Sequence, residues 1–253
     1  FPVKYGYSAV GIRTDGRRVF VLHPHQDAFL APASMCIPIP DQVPSQRAVL
    51  AANMETALNL LWDALPLAGE RALVIGGGVV GLLAASLLAR IPATKVTVVD
   101  INPARCELAA RFGCAFAAPD AAPHEQELVV HASASEAGLR LALACAAFEA
   151  RIIEASWYGD APPATPFGEW FHSRRLRLIA TQVGAIARPM RGRRTHTERL
   201  GTALELLDNP AYDGLLEGPT RFDDLPDAMP RILAPGGLCH VVAYQRGDRE
   251  CSA

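Results

Sequence analysis

A chain of 253 residues, half of them hydrophobic, is long enough to bury a core in one large domain or two modest ones. Its net charge is −2, and of its 24 basic residues only Lys4 and Lys95 are lysine, so there is no basic footprint and nucleic acid is excluded as the expected partner. Six cysteines (Cys36, Cys106, Cys114, Cys145, Cys239 and Cys251) stand without a C-x-x-C pair, which argues against a disulfide framework or a zinc knuckle and for a reducing cytoplasm.

The chain begins at Phe1, shows no secretory signal, and its first residues already read as the middle of a domain, so preceding N-terminal sequence is expected. Arg18 to Leu22 reads as a strand, and HPHQD (His23 to Asp27) comes directly after it. From Ala72 to Ala89 there are eighteen residues without a charge, close to the length of a membrane span. The same stretch spells G-x-G-x-x-G at Gly76, Gly78 and Gly81 after the strand-like run Ala72 to Ile75, the start of a dinucleotide-binding turn.

The downstream residues decide between the two possibilities. A helix over Val79 to Arg90 is stopped by Pro92, and the β-branched run Lys95 to Val99 suits a buried parallel strand. That strand ends in Asp100, nineteen residues after Gly81, where a carboxylate can accept hydrogen bonds from a ribose diol. Asn102, Pro103 and Gly113 are placed to cap, open and close the next helix. Leu128 to Ala132 reads as a strand, Ser133 to Glu136 as a capping box, Glu136 to Phe148 as a helix, and Arg151 to Ala155 and Leu176 to Thr181 as further strands. The alternation predicts an α/β fold with a Rossmann-type doubly wound parallel sheet and makes the glycines a cofactor turn. Gly76 allows the bend, Gly78 lets backbone approach a pyrophosphate, Gly81 lets the helix sit close to the strand, and the amides of Val79, Val80 and Gly81 face the phosphates. Asp100 favours NAD over NADP, because a 2′-phosphate beside it would be repelled by roughly 4 kcal/mol per unit charge pair at about 4 Å and an effective dielectric of 20. Arg105, one turn on, could lie over the adenine or reach a phosphate.

With these pieces in order, the chain resembles the medium-chain dehydrogenase/reductase superfamily, the zinc-type alcohol dehydrogenases and their zinc-free relatives. The resemblance rests on G-Y-S-A-V-G (Gly6 to Gly11), G-R-R-V-F (Gly16 to Phe20), DAFLAPASMCIPIPDQVP, the glycine turn with Asp100, and the closing FDDLPDAMPRIL and HVVAY. It implies a partial GroES-like, β-rich catalytic domain built from residues 1–55 and 190–253 around a nucleotide domain at 56–189. It also implies a homodimer, and a Thr56 near the nicotinamide. At two positions where the family holds catalytic zinc stand Tyr7 and Ala52, which are not usual ligands, so zinc is not expected, although Glu55, His23 and His25 could compose another metal site. Only four residues separate Gly11 from Gly16, fewer than the family has there.

Without zinc, a side chain must exchange a proton with the substrate oxygen. His23 and His25 are the leading candidates, with Tyr7 as a hydrogen-bond donor at the former ligand position. Trp157 and Tyr158, at the end of a strand, are read as walls of the nicotinamide pocket, and Arg188 to Arg194 as a solvated loop before a helix capped by Thr195. His131 and His172 have no partner the sequence reveals. The expected function is NAD(H)-dependent hydride transfer between a small alcohol and its carbonyl, in the cytoplasm, with no membrane partner. The alternatives are an NADPH-dependent enoyl or quinone reductase and a nucleotide-binding protein without turnover.

Overall fold

The computed structural model describes residues 4–244. The chain opens with an antiparallel sheet of β1 (Ala9–Ile12), β2 (Arg18–Val21) and β3 (Ile37–Pro38). Four residues suffice between Gly11 and Gly16 because they form a tight hairpin end: Ile12 pairs with Arg18, Gly16 N–H donates to Arg13 O at 2.9 Å, and Gly16 takes φ +83°. A short turn of helix, α1 (Ser45–Ala48), leads into α2 (Ala51–Ala64).

The central layer comprises β4 (Arg71–Ile75), α3 (Val79–Ala89), β5 (Lys95–Val99), α4 (Arg105–Arg111), β6 (Ala115–Ala117), β7 (Gln126–His131), α5 (Glu136–Cys145), β8 (Ala146–Glu154) and β9 (Arg177–Ala180). All six strands are parallel, in the order β6-β5-β4-β7-β8-β9. The chain builds outward from β4 in one direction, then returns to its other side at β7. The carboxyl ends of β4 and β7 therefore flank a switch point, where open α/β sheets leave a crevice. The doubly wound parallel sheet expected from the sequence is the observed one.

The long uncharged run is divided between β4, a turn and the eleven residues of α3. Leu82, Leu83, Ala84, Ala85 and Leu88 are fully buried, between the sheet and α2, so the helix is apolar on most sides because it is covered on most sides. Each such leucine contributes about 1.5–3 kcal/mol by leaving water. Among the described residues no helix is long and apolar enough to cross a membrane.

Three expectations shift. α4 starts at Arg105 because Asn102 spends its side chain on an Asx turn, accepting from Ala104 N–H at 3.0 Å, while its own N–H donates to Asp100. α5 is capped by Ser135, not Ser133, since the Ser133 hydroxyl is engaged elsewhere. The helix also ends at Cys145, and Ala146 to Phe148 join β8, where Ala146 pairs with Gln126. The β6 strand was not legible in the composition of its three residues.

The chain ends with α6 (His196–Leu206), β10 (Leu216–Arg221), α7 (Leu225–Ile232) and β11 (Cys239–Ala243), with β10 and β11 paired in parallel. Thr195 caps α6 in a complete capping box with Glu198, as its sequence predicts. α6 is tied to α2 through Arg199, which is 1% exposed. Its guanidinium donates to Glu55 Oε1 at 3.0 Å, Asn59 Oδ1 at 2.6 Å, and the carbonyls of Val183 and Ala185 at 2.5 and 3.2 Å.

Candidate functional site

A crevice of about 920 Å³ opens at the switch point, walled by the ends of β4, β5 and β7, the start of α5, and the returning loop Pro235, Gly236 and Gly237. The glycine turn forms one side. Gly76 sits at φ +108°, and a Cβ there would lie 2.7 Å from the Ala132 carbonyl carbon. A Cβ at Gly81 would lie 1.9 Å from Gly76 O, so only glycine lets the first turn of α3 press against the end of β4. In front of Gly78, by contrast, a Cβ would meet nothing within 4 Å, and Gly78 lines the crevice. α3 begins there with no side-chain cap, which leaves the amides of its first turn, Val79, Val80 and Gly81, at the open end of the helix dipole. An open cradle before uncapped amides is what a phosphate group requires.

Asp100 closes the far side. Its Oδ2 accepts from Gly77 N–H at 2.6 Å and its Oδ1 from Asn102 N–H at 2.7 Å, so both oxygens are oriented while each keeps acceptor capacity toward the crevice it lines. Gly77 is not one of the three motif glycines, yet a Cβ there would crowd Asp100 Oδ2 at 3.2 Å and the Arg105 side chain at 3.1 Å. Arg105 is buried, lines the same crevice and donates to Gly236 O, tying the returning loop to the parallel-sheet layer.

The structure gathers a second group that the sequence did not reveal. His131 ends β7, Glu154 ends β8, and the two residues are register partners in adjacent parallel strands. His131 is fully buried, with Nδ1 2.7 Å from Glu154 Oε2 and Nε2 2.8 Å from Ser133 Oγ. Ser156 N–H donates to Glu154 Oε1 at 2.8 Å, and the Tyr158 hydroxyl lies 3.4 Å from Oε2. Burial alone would raise the Glu154 carboxyl, but hydrogen bonds and charge from His131 and the bonds from Ser156 outweigh it and hold the group below its ordinary value. Burial, then the charge of Glu154, push the Tyr158 hydroxyl up to about 12. Ser133 lines the crevice, so this cluster abuts the glycine turn. The available signal was positional: two parallel strands whose last residues are a histidine and a glutamate.

The remaining candidates lie outside the crevice lining. His23 stacks on Phe29 with ring centroids 3.6 Å apart, and its Nδ1 is 2.8 Å from Pro24 O. The His25 ring packs over Gly6, with Nδ1 3.3 Å from the Tyr244 hydroxyl, and burial lowers its pKa. Tyr7 is 60% exposed. Thr56 donates within α2 to Ala52 O at 3.0 Å, and Glu55 is held by Arg199. Trp157 is 88% exposed and Tyr158 turns to His131, so the aromatic that lines the crevice is Trp170. The arginines from Arg188 to Arg194 lie in a surface segment before α6.

Comparison with known proteins sharpens the picture of the layer. The family described as "Alanine dehydrogenase/PNT, C-terminal domain" matches residues 53–141. The L-threonine 3-dehydrogenase of Xanthomonas campestris pv. campestris (strain B100) is 42% identical over 84 residues, 32% of this chain and 24% of that protein. The match thus spans about a quarter of that relative's length. Among solved structures, L-idonate 5-dehydrogenase of Escherichia coli K-12 superposes with a TM-score of 0.71 at 16% identity, over 85% of this chain and 62% of that one. An alcohol dehydrogenase of E. coli CFT073 complexed with NADH gives 0.68 at 19% identity, over 84% of this chain and 63% of that one. A dehydrogenase of Sinorhizobium meliloti 1021 bound to NADP gives the same four values.

Proposed function

The chain carries the fold of the medium-chain dehydrogenases, as the ordered motifs of its sequence imply, and on that fold we propose that the crevice binds a nicotinamide dinucleotide. The observation that carries this is the glycine turn: open space before Gly78 and an uncapped α3, opposite an oriented Asp100. The proposed activity is NAD(H)-dependent oxidoreduction of the alcohol dehydrogenase type, with a hydride passing between nicotinamide and a small alcohol or carbonyl. Gly78, Val79, Val80 and Gly81 hold the pyrophosphate, and Asp100 accepts from the adenosine ribose. Arg105, committed to Gly236 O, leaves that carboxylate uncompensated and favours NAD over NADP.

Bound nicotinamide supplies the hydride acceptor, and this chain's residues orient it, exclude water and move the proton. His23, His25 and Tyr7 are the proposed proton-handling residues, with Thr56 beside the ring. Zinc is not part of the proposal. Ala52 has no donor atom and Tyr7 is not a usual ligand, so the donor set at those two positions does not fit it. The same reading assigns residues 1–55 and 190–253 to the catalytic part and 56–189 to the nucleotide part, and takes the protein as a cytoplasmic homodimer acting on a small-molecule substrate.

The test is a pair of fluorescence titrations with NADH and NADPH. NADH is expected to bind more tightly, and Asp100→Ala to narrow or abolish that preference. A protein that binds neither, or whose preference Asp100→Ala leaves untouched, refutes the reading. Tighter NADPH binding would favour an enoyl or quinone reductase.

A further inference from the structure

We propose that Ser133, His131 and Glu154 form an activated-serine array, and that the protein uses it to cleave small uncharged carboxylic esters in the crevice. The hydrogen-bond accounting fixes the direction of the array. Glu154 is ionised and can only accept, so His131 Nδ1 carries the proton and donates to Oε2 across 2.7 Å. His131 Nε2 is then an acceptor, and its partner at 2.8 Å, Ser133 Oγ, must donate to it. Ser135 reinforces that polarity. Its oxygen accepts from Gly138 N–H at 3.0 Å, and its proton is free to point at Ser133 Oγ, 2.9 Å away. The result is a carboxylate that orients an imidazole and an imidazole that orients a hydroxyl, the arrangement by which a serine becomes a nucleophile.

Placement supports the same role. His131 is fully buried, whereas Ser133 lines the crevice, so the base is kept dry beside the ligand space. The start of α5 lies against it. A Cβ on Gly138 would fall 2.1 Å from Ser133 Oγ, and Ser135, Ala137 and Gly138 line the same crevice. The amides of Glu136 and Ala137 stand in the first turn of α5, where helix N–H groups lack intrahelical acceptors, and supply positive potential for an oxyanion. Ile75, Val99, Leu141 and Pro235 give the crevice an apolar share, suited to an uncharged ester.

In the reaction, Ser133 Oγ forms a bond to the ester carbonyl carbon as its proton moves to His131 Nε2. The carbonyl π electrons move to oxygen and return as the ester C–O bond breaks, and the imidazolium gives its proton to the departing alkoxide. Water then repeats the sequence on the acyl-serine, releasing the acid and restoring Ser133. No oxidant or cofactor enters the balance.

The experiment treats the full chain with a fluorophosphonate probe and, separately, with p-nitrophenyl butyrate, and locates the adduct by peptide mass spectrometry. The expected result is one phosphonyl group, on Ser133, with p-nitrophenol release that pre-treatment with the probe abolishes. Ser133→Ala should lose both, while Glu154→Gln, with a melting temperature near wild type, should label at least about tenfold more slowly. Failure of the probe to modify Ser133, or ester cleavage by Ser133→Ala at the wild-type rate, overturns the proposal. NADH binding, measured in parallel, reads the cofactor turn independently of either result.

Discussion

Two alanine substitutions in the same turn, Gly78→Ala and Gly81→Ala, separate what the glycines do for the fold from what they do for a ligand. In an open helix interior Gly→Ala gains about 1 kcal/mol from backbone entropy alone. At Gly81 the new Cβ would stand 1.9 Å from Gly76 O, a backbone atom fixed by the Gly76 N–H bond to Val99 O at 2.8 Å. Relief requires α3 to retreat by about 1.3 Å to an ordinary contact of about 3.2 Å, lifting Leu82, Leu83 and Leu88 off a filled core. Such overpacking costs about 1–3 kcal/mol, and a contact of 1.9 Å against backbone belongs at the upper end, so Gly81→Ala is expected to be destabilised by about 2 kcal/mol even after the helical gain. Gly78 has φ −75° and open space before it, so Gly78→Ala should leave stability within about 0.5 kcal/mol of wild type. Its methyl group instead occupies the cradle in front of the α3 amides, and NADH affinity should fall by at least about tenfold, or 1.4 kcal/mol. Urea denaturation and NADH titration on the same samples read both quantities. NADH binding to Gly78→Ala at wild-type strength would refute the assignment of the cradle, and unchanged stability in Gly81→Ala would refute the packing argument.

Two buried groups provide further tests. Arg199→Met strands Glu55 without its cation and frees Asn59 and two carbonyls, so it should cost about 3–5 kcal/mol in urea denaturation, with the double variant Glu55→Gln/Arg199→Met recovering part of the loss. Tyr158, raised to about 12, should hold its proton while an ordinary tyrosine ionises near 10, contributing stability that is complete below pH 10 and lost as pH rises toward 12. Ultraviolet titration of tyrosinate should therefore lose a late-ionising component in Tyr158→Phe, and an identical titration curve would contradict the contact with Glu154.

The glycine turn, β4, α3, β5 and Asp100 were legible because each is a local statement: small residues where backbone must approach, a β-branched run, an acid at a strand end. The capping of α6 was equally local, since Thr195 and Glu198 carry both halves of it. The capping of α5 was not. Ser133 and Ser135 are both suitable caps, and the choice between them is made by His131, whose demand for a hydroxyl arises only when β7 folds beside β8. Glu55 likewise reads as a possible metal ligand until Arg199, 144 residues later, meets it across two packed helices.

The His131 to Glu154 pair shows where such information is recoverable. In a parallel sheet, strands that end level place their last residues side by side, so the ends of LVVH and RIIE become neighbours once the order β4-β7-β8 is known. A buried imidazole there must satisfy two ring nitrogens, and with a carboxylate on one side the other is left to recruit a hydroxyl from the crevice rim. The polarity of Ser133 thus arises from the topology of the sheet and the need to satisfy a buried histidine. A substitution that spares the topology but removes the carboxylate, Glu154→Gln, should let the imidazole adopt the opposite tautomer and turn Ser133 from donor to acceptor. The ring 15N shifts of His131 report that tautomer directly, and a wild-type pattern in Glu154→Gln would sink the account of how the serine is oriented.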